Sequence, residues 1–193
     1  MIVSIHQPNF MPWYPYFQKM EMADVFVLLT HCQFEKNLFQ NRFNANDQWY
    51  TMSVNKGMIP IVDKKYASPE RDWKKIKKGW PKYSSVLDQF DCCISESLCD
   101  TNIAIIYRII ELLGIRTKIV LDKPSDKLST ERLVEICEQH KATTYIAGSG
   151  GSREYLNVDL FDNSNIKVLF QDQDSLIKTP IIEILYDRIS KCT

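Results

Sequence analysis

Residues 1–29 read MIVSIHQPNFMPWYPYFQKMEMADVFVLL, and this stretch decides the fold class. The apolar run at 2–5 predicts a strand, and a helical pattern at 14–23 follows a loop that prolines punctuate. Residues 25–29 are apolar at every position, which is typical of a central strand in a parallel sheet. Strand, helix and strand in this order predict an α/β protein whose mainly parallel sheet is flanked by helices.

The same alternation of strands and helices returns after residue 101. The expected helices lie at 102–113, 130–140 and 179–189, and the expected strands at 118–121, 143–147 and 166–170. Gly114 is suited to end the first of these helices, and Ser129 is suited to cap the second. These elements extend the parallel sheet that the first residues predict.

The middle of the chain, residues 31–101, is less regular. The expected elements there are two strands and one basic helix, at 48–54, 59–62 and 71–82. We therefore expect a single α/β domain over residues 1–193, with a less regular insertion at about 35–100.

The charge balance argues against some classes of partner. The chain has 24 Lys and Arg against 24 Asp and Glu, so a protein that mainly neutralises nucleic-acid phosphates or anionic lipid is not expected. The basic helix at 71–82 carries several aromatic residues, which leaves weak RNA binding as an alternative to a solvated face. No run of 18 apolar residues and no leader pattern is present, so a cytoplasmic protein without a membrane span is expected.

The cysteines do not suggest a metal or disulfide framework. The chain has six cysteines, and no pair has the CxxC spacing that is typical of zinc sites. We therefore expect no metal and a reducing compartment. The sequence does not name a cofactor.

Two polar loops follow predicted strands, at 6–13 and 148–155. Ligands of parallel sheets bind outside the carboxyl ends of the strands, so these loops are the candidate site. The first loop contributes a histidine that can exchange protons and amides that can donate and accept hydrogen bonds. The catalytic candidates in this loop are His6, Gln7 and Asn9.

The second loop is rich in glycine and suits an anion, because glycines let phosphate or carboxylate approach the main chain. It is neither a Walker loop nor a GxGxxG loop, since Arg153 stands where the last glycine is needed. The residues assigned to substrate binding are Trp13, Tyr16, Gln33, Asn41, Arg42, Gly148, Ser149, Gly150, Gly151, Arg153 and Tyr155. A plain turn is the alternative interpretation of this loop. Cys32 as a nucleophile with His31 as its base is a further candidate pair, although such residues are more often structural.

Several segments, in order, resemble the WbqC-like family. They are IHQPNFMPW at 5–13, YF at 16–17, ADVFV at 23–27, QF at 33–34, QNR at 40–42 and YIAGSGGSREYL at 145–156. The chain departs from the family pattern at 171–178, which lacks the usual His-Pro/Tyr/Gln stretch after the last strand. The resemblance implies a bacterial protein encoded among genes for O-antigen and other surface polysaccharides.

The resemblance implies a transferase that modifies a sugar or nucleotide-linked amino sugar by acyl or amino-acyl transfer. In that reaction His6 would exchange the proton, while Gln7 and Asn9 would orient the reacting groups. Arg42 and the loop at 148–153 would hold diphosphate or carboxylate, and Trp13 with Tyr16 would form an apolar platform. The alternatives are a nucleotide-dependent enzyme that activates a carboxylate and a non-catalytic module that binds a glycan intermediate.

A more distant similarity links the chain to the nucleotidyltransferase-like (HUP) fold. Members of that fold use two histidines of an HxGH motif to hold nucleotide phosphates. His6 matches the first histidine, but Asn9 stands at the position of the second. The similarity therefore implies the architecture and not adenylation chemistry.

Overall fold

The computed structural model describes residues 1–190, so Cys192 lies outside the described part of the chain. The strands are β1 (Ile2–His6), β2 (Val25–Leu28), β3 (Arg42–Ala45), β4 (Gln48–Thr51), β5 (Lys118–Leu121), β6 (Thr144–Ala147) and β7 (Lys167–Phe170). The helices are α1 (Tyr14–Glu21), α2 (Pro69–Gly79), α3 (Ser84–Leu87), α4 (Leu98–Leu113), α5 (Ser129–Gln139), α6 (Ser152–Tyr155), α7 (Val158–Asn163) and α8 (Ile181–Ser190).

The described chain divides into two compact units. Unit 1 comprises residues 1–7, 15–31 and 116–177, and unit 2 comprises residues 8–14, 32–115 and 178–190. The single-domain organisation expected from the sequence stays a prediction.

Unit 1 contains a five-stranded parallel sheet in the order β5-β2-β1-β6-β7. Val3 of β1 lies opposite Val25 of β2 on one side and Tyr145 of β6 on the other. The chain first moves from β1 towards β5 and then returns to the other side of β1, which is the doubly wound arrangement. The predicted α/β class with a parallel sheet and flanking helices is therefore confirmed, and the nucleotidyltransferase-like fold stays a prediction.

The two faces of this sheet are covered by different helices. Every second residue of the central strands, such as Val3 and Val27, joins a buried cluster with Ile136 of α5 and Phe161 of α7. The alternate residues face the other way, where Phe26 contacts the ring of Tyr16 on α1. Strands that are buried on both faces explain why their sequences are apolar without alternation.

Unit 2 contains elements that the sequence predicts less well. β3 and β4 form an antiparallel hairpin whose turn residues, Asn46 and Asp47, both have positive φ angles of 50° and 57°. A two-residue turn of this kind matches the twist of a hairpin and favours Asn and Asp. Of the strand expected at 59–62, Pro60 makes an isolated antiparallel bridge with Gln33, and the chain then enters a 3₁₀ turn at Ile61–Asp63.

The sequence predicts a helix end at Gly114 and a helix cap at Ser129, and the structure confirms the first of these. Gly114 ends α4 in the left-handed conformation with a φ of 70°, as expected. Ser129, however, is the first residue of α5 and has a positive φ of 50°. The cap position is held by Leu128, so the prediction of a Ser129 cap is wrong.

Candidate functional site

The candidate site of unit 1 lies where the winding of the sheet reverses. His6 ends β1, and Gly148 directly follows β6, the neighbouring parallel strand on the side to which the chain returns. Neighbouring parallel strands end at the same edge of the sheet. His6 and Gln7 therefore lie at the edge that also carries the glycine loop 148–151. Such a reversal leaves a crevice outside the strand ends and is the usual ligand position in doubly wound sheets.

His6 is held in one orientation by the main chain. Its Nδ1 lies 3.1 Å from the carbonyl oxygen of Gln7, which can only accept a hydrogen bond, so Nδ1 carries the proton and Nε2 can accept. The ring meets the ring of Tyr16 edge-on at 4.8 Å, and the Tyr16 hydroxyl donates to the same carbonyl at 3.2 Å. Tyr16 is buried, so it supports the loop instead of offering a stacking surface to a ligand.

Two basic side chains, those of His6 and Lys19, lie close together near the end of β1. The ammonium of Lys19 is buried, donates to the carbonyl of Ile5 at 3.0 Å and lies 5.6 Å from the ring centre of Phe26. Burial lowers the pKa of Lys19 to about 7. Burial, and then the charge of Lys19, lower the pKa of His6 to about 3, so His6 is neutral at physiological pH and is a weak base.

We expect His6 to make the protein lose stability in acid. The unfolded chain takes up a proton at this side chain near pH 6.5, whereas the folded protein takes it up only near pH 3. Between these values only the unfolded state is protonated, so stability falls with pH by up to about 1.4 kcal/mol per unit. His6→Asn keeps a donor for the Gln7 carbonyl and removes the titration.

Urea unfolding of both proteins at pH 6.5, 5.5 and 4.5 measures this difference. The wild type is expected to lose more stability than His6→Asn at each step towards acid. Parallel pH profiles would contradict the assignment of this loss to His6.

The glycine loop of unit 1 is held from one side and open on the other. Gln173 donates from Nε2 to the carbonyl of Ser149 at 2.7 Å, so part of the divergent segment 171–178 holds the loop. The guanidinium of Arg153 lies 4.8 Å from the ring centre of Phe170. A side chain added at Gly150 would meet no atom within 4 Å, which leaves space for a ligand to approach the main chain.

A network around Asp122 lies at the same edge, after β5 and β2. The carboxylate accepts from the backbone N–H of Thr30 at 2.7 Å, from its hydroxyl at 2.8 Å and from Nδ1 of His31 at 3.0 Å. Arg132 of α5 donates to its second oxygen at 3.1 Å and also to the carbonyl of Lys123. Burial by itself raises the pKa of Asp122, but these hydrogen bonds outweigh it and hold the pKa below its ordinary value.

Sequence reasoning missed this network. It considered His31 only as a partner of Cys32 and did not consider Asp122. A usable signal was present, because Asp122 comes directly after a predicted strand and His31 follows another by two residues. The rule that pointed to the loops at 6 and 148 applies equally to these two strand ends.

Tyr155, the last residue of α6, is exposed in unit 1, and the remaining predicted site residues belong to unit 2. Asn41 donates to the carbonyl of Met52 at 2.7 Å and is buried, and Arg42 stacks on the ring of Trp49 at 3.9 Å. These contacts hold both side chains within unit 2, and their role in substrate binding stays a prediction. The other three are Asn9, which is buried, and Trp13 and Gln33, which are exposed. Whether these residues share one site with His6 stays a prediction.

Among residues 1–190 no group of three or more His, Cys, Asp or Glu side chains is arranged to hold a metal ion. None of the described helices is long and apolar enough to cross a membrane.

The fold and the site define a doubly wound α/β protein with a polar carboxyl edge. Its sequence matches the WbqC-like protein family over residues 7–179, so the chain belongs to that family. An uncharacterized protein of Mycobacterium tuberculosis, Rv1507c, is 27% identical over 191 residues, covering 89% of this chain and 82% of the relative. No solved structure gives a significant match.

Proposed function

We propose that the protein is a transferase that modifies a sugar or nucleotide-linked amino sugar by acyl or amino-acyl transfer in bacterial surface polysaccharide synthesis. The observation that carries the proposal is the reversal of winding between β1 and β6, which has polar residues on one side and a glycine loop on the other. This is the position where doubly wound enzymes hold nucleotides.

In this proposal the two sides of the crevice have different tasks. The glycine loop with Arg153 receives the diphosphate, because exposed main-chain N–H groups and a guanidinium suit phosphate oxygens. His6 and Gln7 orient the acceptor, since a neutral imidazole can accept a hydrogen bond at Nε2 from a hydroxyl or an amine. Transfer then needs the acceptor to lose a proton as it attacks the acyl carbon.

Thermal-shift measurements with uridine, thymidine and guanosine diphosphate sugars test the proposed binding site. A ligand at 100 times its Kd adds about 2.7 kcal/mol of stability, which is seen as a raised midpoint. Gly150→Asp is expected to abolish the shift, because it places a carboxylate in open space beside the proposed diphosphate. Asn163→Asp adds the same charge on exposed α7, before β7 and thus at the opposite edge of the sheet, and should leave the shift intact.

The outcomes separate the candidate functions. A shift with a nucleotide sugar that Gly150→Asp removes supports the proposal. A shift with ATP and magnesium alone would favour the carboxylate-activating alternative. The absence of any shift across the panel, or a shift that both variants retain, would overturn the assignment of this edge to a nucleotide sugar.

A further inference from the structure

We propose that His31 and Asp122 form the proton-transfer pair of this enzyme, with Nε2 of His31 as the atom that exchanges the proton. The inference rests on the proposed function for its reaction class, and it assigns the proton to a different residue from the sequence prediction. The pair lies at the ends of β2 and β5, on the same edge of the sheet as the glycine loop.

The first support is the orientation of the ring. Nδ1 of His31 lies 3.0 Å from a carboxylate oxygen that can only accept, so Nδ1 carries the proton and Nε2 is left for a ligand. About 30% of the side chain is exposed, whereas the side chain of Asp122 is fully buried. A buried carboxylate that orients a partly exposed imidazole is the arrangement that makes histidine an effective base.

The second support is the way in which Asp122 is held ionised. Three groups besides His31 donate to it, namely the N–H and the hydroxyl of Thr30 and the guanidinium of Arg132. Arg132 is itself fixed by the carbonyl of Lys123 and by Glu135. The carboxylate therefore cannot turn away when His31 becomes charged, and its charge stabilises the imidazolium.

The third support is the contrast with His6. His6 faces the buried ammonium of Lys19, which opposes a second positive charge, and its pKa is lowered to about 3. His31 faces a carboxylate instead. Of the two histidines, His31 is the one whose ring a buried carboxylate orients.

The proposed acyl transfer needs no reactant other than the acceptor and an activated acyl donor. Nε2 takes the proton from the acceptor amine or hydroxyl while the acceptor atom forms its bond to the acyl carbon. The bond from that carbon to the leaving group then breaks, and Nε2 returns the proton to the leaving group. Asp122 stays ionised throughout.

Turnover of p-nitrophenyl acetate with glucosamine as the amine tests the pair, because this activated ester needs no nucleotide. The release of p-nitrophenolate and the acetylated amine are both measured. We expect His31→Gly to lower the rate by about 10²-fold, which is in the range of general acid–base catalysis. Added imidazole should restore part of the amine acetylation to this variant, beyond the rate that imidazole gives without protein and beyond any gain it gives to His31→Gly with Asp122→Asn, an effect that a merely structural role of His31 would not produce.

The chain contains three histidines, which provide matched controls. His140→Asn, at the end of α5, should leave the rate unchanged, and Asp122→Asn should lower it while circular dichroism shows a folded protein. Wild-type turnover no faster than that of His31→Gly would overturn the pair. Loss of turnover in His6→Asn but not in His31→Gly would overturn it in favour of His6.

The binding experiment with nucleotide sugars and the turnover experiment with the ester test separate claims, so either claim can be wrong alone. Binding that depends on Gly150, together with turnover that does not depend on His31, removes the pair and keeps the proposed function. Dependence on His31 without any nucleotide-sugar binding removes the proposed substrate and keeps the pair.

Discussion

Asn102→Ala is expected to lower the free energy of unfolding of unit 2 by about 4 kcal/mol, since it removes three buried hydrogen bonds and leaves their partners unpaired. The amide nitrogen of Asn102 donates to the carbonyls of Pro8 and Gln40, both at 2.7 Å. Its oxygen accepts from the hydroxyl of Tyr66 at 2.8 Å. The side chain is fully buried, so water cannot replace these bonds.

Tryptophan fluorescence during urea unfolding suits this measurement, because all four tryptophans of the chain, Trp13, Trp49, Trp73 and Trp80, lie in unit 2. Asn55→Ala provides a matched control, since Asn55 is exposed in a loop of the same unit. Its stability should change by less than about 0.5 kcal/mol.

Asn102→Asp sharpens the experiment because it places an acceptor against two carbonyl oxygens. The variant should be destabilised more than Asn102→Ala at neutral pH, and part of the loss should be recovered in acid, where the carboxyl becomes protonated and can donate. A loss below about 1 kcal/mol for both variants would contradict the role of Asn102 as the link between these segments.

The sheet was largely predictable because its signals are local. A run such as 25–29 is apolar at every position, and the strand at 118–121 was predicted with the bounds that the structure has. The alternation of strands with helices then requires a parallel sheet. The order of the strands was not predictable in this way, because it depends on pairings such as that of Val3 with Tyr145, which no local pattern encodes.

The candidate site was predictable in part for the same reason. The loops that begin at His6 and Gly148 follow strands directly, so a rule about strand ends finds them. Asp122 and Thr30 are 92 positions apart in the chain, and only the pairing of β2 with β5 brings them together. Asn102 is equally hidden, because it lies on a helix whose sequence gives no sign of the two carbonyls that it binds.

Asp122→Ala is the second substitution with a large expected effect, because it leaves a buried cation without its buried partner. Arg132 has a side chain that is only 9% exposed, and one of its donors bonds the carboxylate at 3.1 Å. Removing one member of such a pair typically costs about 3–5 kcal/mol. The N–H of Thr30 also loses its acceptor, which adds to the loss.

Far-UV circular dichroism in urea is the appropriate measurement, because unit 1 contains no tryptophan. Asp126→Ala is the matched control: Asp126 is exposed four positions away, and its removal should cost less than about 0.5 kcal/mol. The double variant Asp122→Ala with Arg132→Met tests the cause. If the unpaired cation accounts for the loss, the double variant should be more stable than the sum of the two single losses predicts, by about 2 kcal/mol.

Strict additivity of the two substitutions would mean that Asp122 stabilises unit 1 through Thr30 and His31 alone. The loss in Asp122→Ala would then come from the hydrogen bonds at the end of β2, and the loss in Arg132→Met from the bonds of Arg132 to Lys123 and Glu135. The proposed His31–Asp122 pair predicts non-additive losses instead. A carboxylate that must stay ionised while His31 takes up a proton needs the guanidinium of Arg132 as its second fixed partner. The coupling energy between Asp122 and Arg132 therefore measures how firmly the base is held in place.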